Sequence, residues 1–168
     1  ESGMRIASDF VNITGNRVSD IRYNYIWLEN AENCTIKNND LINGTIYNPP
    51  TYEPVGIFLD GQDRAGSDGY GFAGDVISNT IVNNNISGLN DGVSILAGFS
   101  TVENNKISSN NIEFSAAAGI VIYSSGPRNN IIQGNNITNG EGHGIYMYYA
   151  WQHNITGNVI AYNDMNGI

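Results

Sequence analysis

A seven-residue phrase returns six times along this chain, and only stacked copies of one structural unit make use of such a phrase. Its second and seventh places are aliphatic, its fourth is Asn or Gly and its fifth is Asn. It reads Asn12-Ile13-Thr14-Gly15-Asn16-Arg17-Val18, then Thr35 to Leu41, Thr80 to Ile86, Thr101 to Ile107, Ile131 to Ile137 and Asn154 to Ile160. A second phrase, glycine before two apolar residues that flank a variable one, runs between these copies. It appears as Gly3-Met4-Arg5-Ile6, Gly56-Ile57-Phe58-Leu59, Gly92-Val93-Ser94-Ile95, Gly119-Ile120-Val121-Ile122 and Gly144-Ile145-Tyr146-Met147, with Tyr25-Ile26-Trp27-Leu28 as a variant. Repeats begin between 22 residues apart (Gly3 to Tyr25) and 36 apart (Gly56 to Gly92), and each carries two short strands. That periodicity predicts an all-β solenoid of about six coils.

Alternation with period two gives each strand one buried face. Met4 and Ile6, Ile26 and Leu28, Ile57 and Leu59, and Val93 and Ile95 are expected to point into a common interior. The fifth-place residues Asn16, Asn39, Asn84, Asn105, Asn135 and Asn158 fall at a turn. Asparagine tolerates left-handed backbone there, and a column of amides bonds coil to coil. These six form the expected structural Asn ladder.

On these two phrases the chain resembles the right-handed parallel β-helix of the pectin-lyase-like superfamily. Within it the likeness is to NosD-like, carbohydrate-binding and sugar-hydrolase repeats. The resemblance covers residues 1–168 as a single domain and implies a fold, whereas this fold carries many unrelated activities. NosD-like proteins are associated with copper delivery, for which the donors here are His143, Met147, His153, Met165 and Cys34. Met147 is expected in the core and Cys34 far along the axis, so they do not form a site. Gly142-His143-Gly144 resembles the Gly-His-Gly of polygalacturonases. Their paired acids are missing: Asn90-Asp91-Gly92 and Ala117-Ala118-Gly119 stand in their places. An inverting hydrolase needs two carboxyl groups, so His143 reads as a turn residue.

Only 14% of residues are charged, the net charge is −9 and the pI is about 4.3. Such a chain lacks the basic face that nucleic acid requires, and no apolar run approaches the ~20 residues of a spanning helix. A composition rich in Asn, Gly, Ser, Thr and Tyr suits an extracellular or cell-surface protein. Six Asn-x-Ser/Thr sequons occur. Asn43 stands clear of the repeat, while Asn12, Asn33, Asn85, Asn136 and Asn154 fall within or beside phrases that generate them. The chain opens on Glu1 and both ends lie on coil anchors, which points to an excerpt of a longer chain or to ends that stack on further copies.

Strand alternation also names the outward columns. The first reads Arg5, Trp27, Phe58, Ser94, Val121, Tyr146; the second reads Ala7, Glu29, Asp60, Leu96, Tyr123, Tyr148, with Trp151 just beyond. Aromatic faces pack on sugar C–H faces while Tyr and Trp keep a polar handle. Trp27, Phe58, Tyr123, Tyr146, Tyr148 and Trp151 are therefore the expected carbohydrate-binding residues. Partners are a polysaccharide or other copies of the chain, in a non-catalytic binding or structural role. Two acids suggest alternatives. Glu29 and Asp60, on adjacent coils, resemble the carboxylate pair of a hydrolase, with Asp91 a third acid for a hydrolase, lyase or epimerase. No cofactor is expected; Asp60 with Asp63 offers oxygen donors to Ca²⁺ as an alternative, without the spacing of an EF-hand. Insertions at 43–55 and 60–75 are expected to form loops beside this face.

Overall fold

The computed structural model describes residues 2–43, 54–61, 74–98, 100–123 and 126–168. Three six-stranded sheets and one of four strands, all parallel, form the sides of a β-helix. Sheet A stacks Met4–Ile6, Ile26–Glu29, Val55–Gly61, Asp91–Ala97, Ala118–Tyr123 and His143–Tyr148. Sheet B stacks Asn12–Thr14, Thr35–Lys37, Thr80–Val82, Lys106–Ser108, Ile131–Gln133 and Asn154–Thr156. Sheet C stacks Arg17–Ser19, Asp40–Ile42, Asn85–Ser87, Asn111–Glu113, Asn136–Thr138 and Val159–Ala161. Sheet D is the short side: Ala31–Glu32, Val76–Ile77, Val102–Glu103 and Pro127–Arg128. The predicted six-coil, all-β solenoid is therefore present.

Sheet A sends two columns of aliphatic side chains into the interior, and sheets B and C one each. In sheet A these are Ile26, Ile57, Val93, Ile120 and Ile145, each fully buried, with Leu28, Leu59, Ile95 and Ile122 beside them. Sheet B adds Ile13, Ile36, Ile81, Ile107 and Ile132; sheet C adds Leu41, Ile86, Ile112 and Ile137. Burial of such a side chain contributes about 1.5–3 kcal/mol, so these columns are the main source of cohesion. Met147, expected in the core, holds the inward register opposite Ile122 but is 37% exposed on the sixth coil.

The glycine column lets successive coils approach closely. A Cβ on Gly92 would meet the Gly119 carbonyl oxygen at 2.5 Å, and one on Gly119 would meet that of Gly144 at 2.7 Å. Tyr25 occupies the same column in the second coil and is fully buried. Its hydroxyl donates to the Ile42 carbonyl at 3.2 Å, and burial pushes its pKa up.

Turns between the sheets carry two asparagine ladders rather than one. The first runs Asn16, Asn39, Asn84, Asn110, Asn135, Asn158. Each Oδ1 from Asn39 onward accepts both the backbone N–H and the side-chain amide of the asparagine one coil before, at 2.9–3.0 Å. Asn105 does not belong to this ladder, contrary to the expectation from the repeat. It sits five residues earlier, in a second ladder of Asn79, Asn105 and Asn130. Its seven-residue phrase spans the corner between sheets D and B, where the sequence has the same Asn-Asn-x-Ile form. The residue before each first-ladder asparagine has positive φ: Gly15, Asn38, Asn83, Ser109, Gly134 and Gly157. Glycine and asparagine recur there because they enter the left-handed region at low cost.

Candidate functional site

Sheet A presents its outward residues in the predicted register. Arg5, Trp27, Phe58, Ser94, Val121 and Tyr146 are successive partners in one column; Glu29, Asp60, Leu96, Tyr123 and Tyr148 are partners in the other. Their exposure divides along the axis. Phe58, Asp60 and Ser94 are buried. Trp27 is half-buried, its ring 6.2 Å from Phe58 and covered on one side by the Arg5 guanidinium at 4.6 Å. Neither Trp27 nor Phe58 offers an open sugar platform, which corrects that part of the expected band.

The rings of the last two coils are open. Tyr123, Tyr146, Tyr148, Tyr149 and Trp151 are 36–62% exposed. Tyr123 and Tyr148 stack one coil apart with centroids 5.1 Å apart and planes 17° from parallel. Tyr149 meets Tyr148 edge-on at 4.4 Å. Positive φ at Tyr149 (53°) ends the strand and turns the chain toward Trp151, which bridges to Arg128 on the coil before. A hydrogen bond with the Tyr149 hydroxyl is the main cause holding the Tyr148 phenol above its ordinary pKa, with smaller contributions from Tyr123 and Tyr146. Four phenols thus converge on one patch. His143, read from sequence as a turn residue, begins the last strand of sheet A and stacks on Tyr146 at 5.0 Å. Its three-residue separation from Tyr146 gave no hint of ring contact.

The acids behave differently from an open catalytic pair. Glu29 and Asp60 are register partners, as predicted. Glu29 is held by Arg5, whose Nε and Nη2 donate to its two carboxylate oxygens at 2.6 and 3.0 Å. Asp60 is only 3% exposed. Asp91 opens a strand in the fourth coil, opposite Val55 and Ala118 rather than either acid. Asp63 and most of both insertions, residues 44–53 and 62–73, lie outside the described residues.

The sequons are scattered over the surface. Asn12 and Asn154 are exposed in sheet B, and Asn33 has positive φ at a turn. Asn85 and Asn136 join an outer amide column: Asn136 donates to Asn111, Asn111 to Asn85 and Asn85 to Asp40, at 2.7–3.1 Å. Asn43 lies beside the Tyr25 hydroxyl, 3.4 Å from it.

The imidazole and sulfur donors are dispersed. Cys34 and His153 are the two ends of the second asparagine ladder. Cys34 donates its N–H to Asn79 Oδ1 at 2.8 Å, and its sulfur accepts the Val11 N–H at 3.4 Å. Burial pushes this thiol up in pKa. His153 Nδ1 accepts the Asn130 N–H at 3.3 Å, where an asparagine oxygen serves on earlier coils. Four rungs separate the two residues, roughly 19 Å. Burial lowers the His153 pKa against the opposing pull of the Pro127 and Asn130 backbone. His143 and Met147 are four residues apart on one strand, about 13 Å. Met165 is exposed, with its N–H on the Gly142 carbonyl. No three His, Cys, Asp or Glu side chains converge among the described residues.

A stack of parallel coils with an open aromatic patch at one end defines the class: a parallel β-helix repeat protein. The chain belongs to the family described as periplasmic copper-binding protein (NosD), which matches residues 2–164. Among curated proteins none matches it. Among solved structures it is similar to the periplasmic alginate epimerase AlgG, at 15% identity and a TM-score of 0.38, over 95% of this chain. It spans 36% of that protein's length. A second likeness is to QnrB1, a plasmid-mediated fluoroquinolone resistance protein, at 12% identity and a TM-score of 0.19, covering 90% of this chain and 72% of that one. The family is periplasmic by description, in keeping with the expected place outside the cytoplasm. No helix among the described residues is long and apolar enough to cross a membrane.

Proposed function

We propose that this chain is a non-catalytic periplasmic module that binds polysaccharide on the aromatic patch of its last two coils. The observation that carries this reading is the joint exposure of Tyr123, Tyr146 and Tyr148, on strands fixed by the hydrogen-bonded stack, and of Tyr149 and Trp151 on the turn that follows. Exposed aromatic patches on a rigid scaffold mark binding surfaces. Tyrosine and tryptophan supply an apolar face with a polar rim, which suits a sugar ring. A catalytic role has less behind it, since Glu29 is neutralised by Arg5, Asp60 is buried and Asp91 is on another coil.

The family's copper does not fit these residues. Every His, Cys and Met of the chain is among the described residues, and no three His, Cys, Asp or Glu side chains converge there. Cys34 and the Nδ1 of His153 are occupied in the ladder, and His143 and Met147 are too far apart to share an ion. Soft-metal sites take thiolate, thioether or imidazole ligands in a compact set.

Retention on a polysaccharide panel tests the binding reading. A Tyr146→Ala/Tyr148→Ala/Trp151→Ala variant should melt like the parent and lose retention. Parental retention by that folded variant would overturn it.

A further inference from the structure

We infer that the aromatic patch selects uncharged polysaccharides and rejects polyuronates; this rests on the polysaccharide-binding reading above. A polyuronate carries one carboxylate per sugar, so a protein that binds it along several residues must supply cations at matching positions. Among the described residues, the last two coils have almost none to give. Beyond Lys106 the chain contains a single Lys or Arg, Arg128. It is the bridge partner of Trp151, and its Nε donates to Glu103 at 2.9 Å, an ion pair that offsets part of its charge within the protein. Arg5, on the same face of sheet A, is five coils away and held by both oxygens of Glu29. Exposed Glu141 and Asp164 add negative charge to the last coil. The net charge of −9 adds a long-range repulsion that salt screens only in part.

What the patch does offer is neutral. Four phenol groups gather there, and the Tyr148 proton is held more firmly than in a free phenol. Neutral phenols both donate and accept hydrogen bonds, matching sugar hydroxyls without a charge requirement. Mutual stacking of Tyr123 and Tyr148 closes one face of each ring, leaving their edges and hydroxyls outward. Flat contact is then left to Trp151 and Tyr149, which are 60% and 62% exposed. The rings that could take a positive charge are His143, stacked on Tyr146, and half-buried His153. Burial lowers the His153 pKa, which disfavours its charged form.

Affinity electrophoresis of the full chain at about pH 8 decides the point. Hydroxyethylcellulose and dextran serve as uncharged probes, alginate and polygalacturonate as polyuronates. Retardation by an uncharged polymer and none by the polyuronates is the expected result. Tyr148→Ala should weaken the uncharged retardation by up to about tenfold. Val121→Lys, which puts a cation one coil from Tyr146, should create polyuronate retardation and leave the uncharged response within about twofold. Equal or stronger retardation by polyuronates would overturn the charge selection and leave polysaccharide binding standing. Retardation by no polymer would overturn both.

Discussion

Asn130 gives its backbone N–H to His153 Nδ1 at 3.3 Å, on a rung where Asn79 and Asn105 give theirs to an asparagine oxygen. An imidazole accepts at Nδ1 only when that nitrogen is unprotonated. The last rung of this ladder therefore depends on the charge state of one ring.

Acid should loosen this end of the solenoid. Free histidine titrates near pH 6.5, whereas burial holds His153 lower. Just below pH 6.5 the unfolded chain takes up a proton that the folded chain refuses. Stability contributed by this site thus falls as pH drops through that window, and levels off once the folded ring also titrates. In urea denaturation at a series of pH values, the difference between wild type and His153→Asn should grow toward acid. A difference that stays constant between about pH 7 and 5 would contradict this.

Removing a central rung should cost far more than removing an outer amide. Asn110 satisfies the N–H and side-chain amide of Asn84 and donates to the Ile81 carbonyl, all buried. Asn110→Ala leaves these groups unpaired and should destabilise by about 3 kcal/mol. Asn111→Ala breaks one exposed and one half-buried amide contact and should cost about 1 kcal/mol. Chemical denaturation of the two variants gives the comparison.

Two glycines should respond in opposite ways. Gly119→Ala drives a methyl toward the Gly144 carbonyl and into the Ile137 side chain, so a loss of about 2–3 kcal/mol is expected. Gly157 has φ of 62° with open space around its Cβ position. Asn38 and Asn83 occupy the same place in other coils. Gly157→Asn should therefore change stability by less than about 0.5 kcal/mol, as thermal unfolding will show.

Glu29→Gln should leave glycan retention intact and lower stability by about 0.5–1 kcal/mol. It removes an exposed, two-point ion pair with Arg5. Lost retention with an unchanged melt would instead place Glu29 in the binding or reacting face.

Copper(I), added in slight excess, should shift the thermal midpoint by less than about 1 °C, because ligand stabilisation requires a site formed in the folded state. A larger rise that His143→Ala abolishes would show a site built around that ring.

Much of this molecule was readable before its structure. Repetition fixes where strands recur, and period-two alternation fixes which side chains share a column, so the sheet A register from Arg5 to Tyr146 follows from the phrases alone. The slip at Asn105 arose because two corners of each coil use the same Asn-Asn form, and the phrase does not say which corner it occupies. His153 was legible in principle. It stands directly before Asn154-Ile155, as Asn130 stands before Ile131-Ile132. Exposure was not legible. Phe58 and Tyr146 have the same parity and column, yet one ring is buried and the other is 36% exposed.

The corners of the coil differ in how strictly they count residues. Strands of sheet B and sheet C always begin five residues apart: Asn12 and Arg17, Thr35 and Asp40, Thr80 and Asn85, Lys106 and Asn111, Ile131 and Asn136, Asn154 and Val159. Sheet D to sheet B is always four, as at Ala31 and Thr35 or Val102 and Lys106. All of the length variation enters at the two ends of the sheet A strands. Lengthening there costs only the slowly growing entropy of a longer loop, whereas one extra residue inside the five-residue step would turn an aliphatic column outward. The scaffold thus keeps one side free for variation while the rest holds pitch like a screw thread. Descendants of such a chain can change what they hold by rewriting the margins of a single sheet.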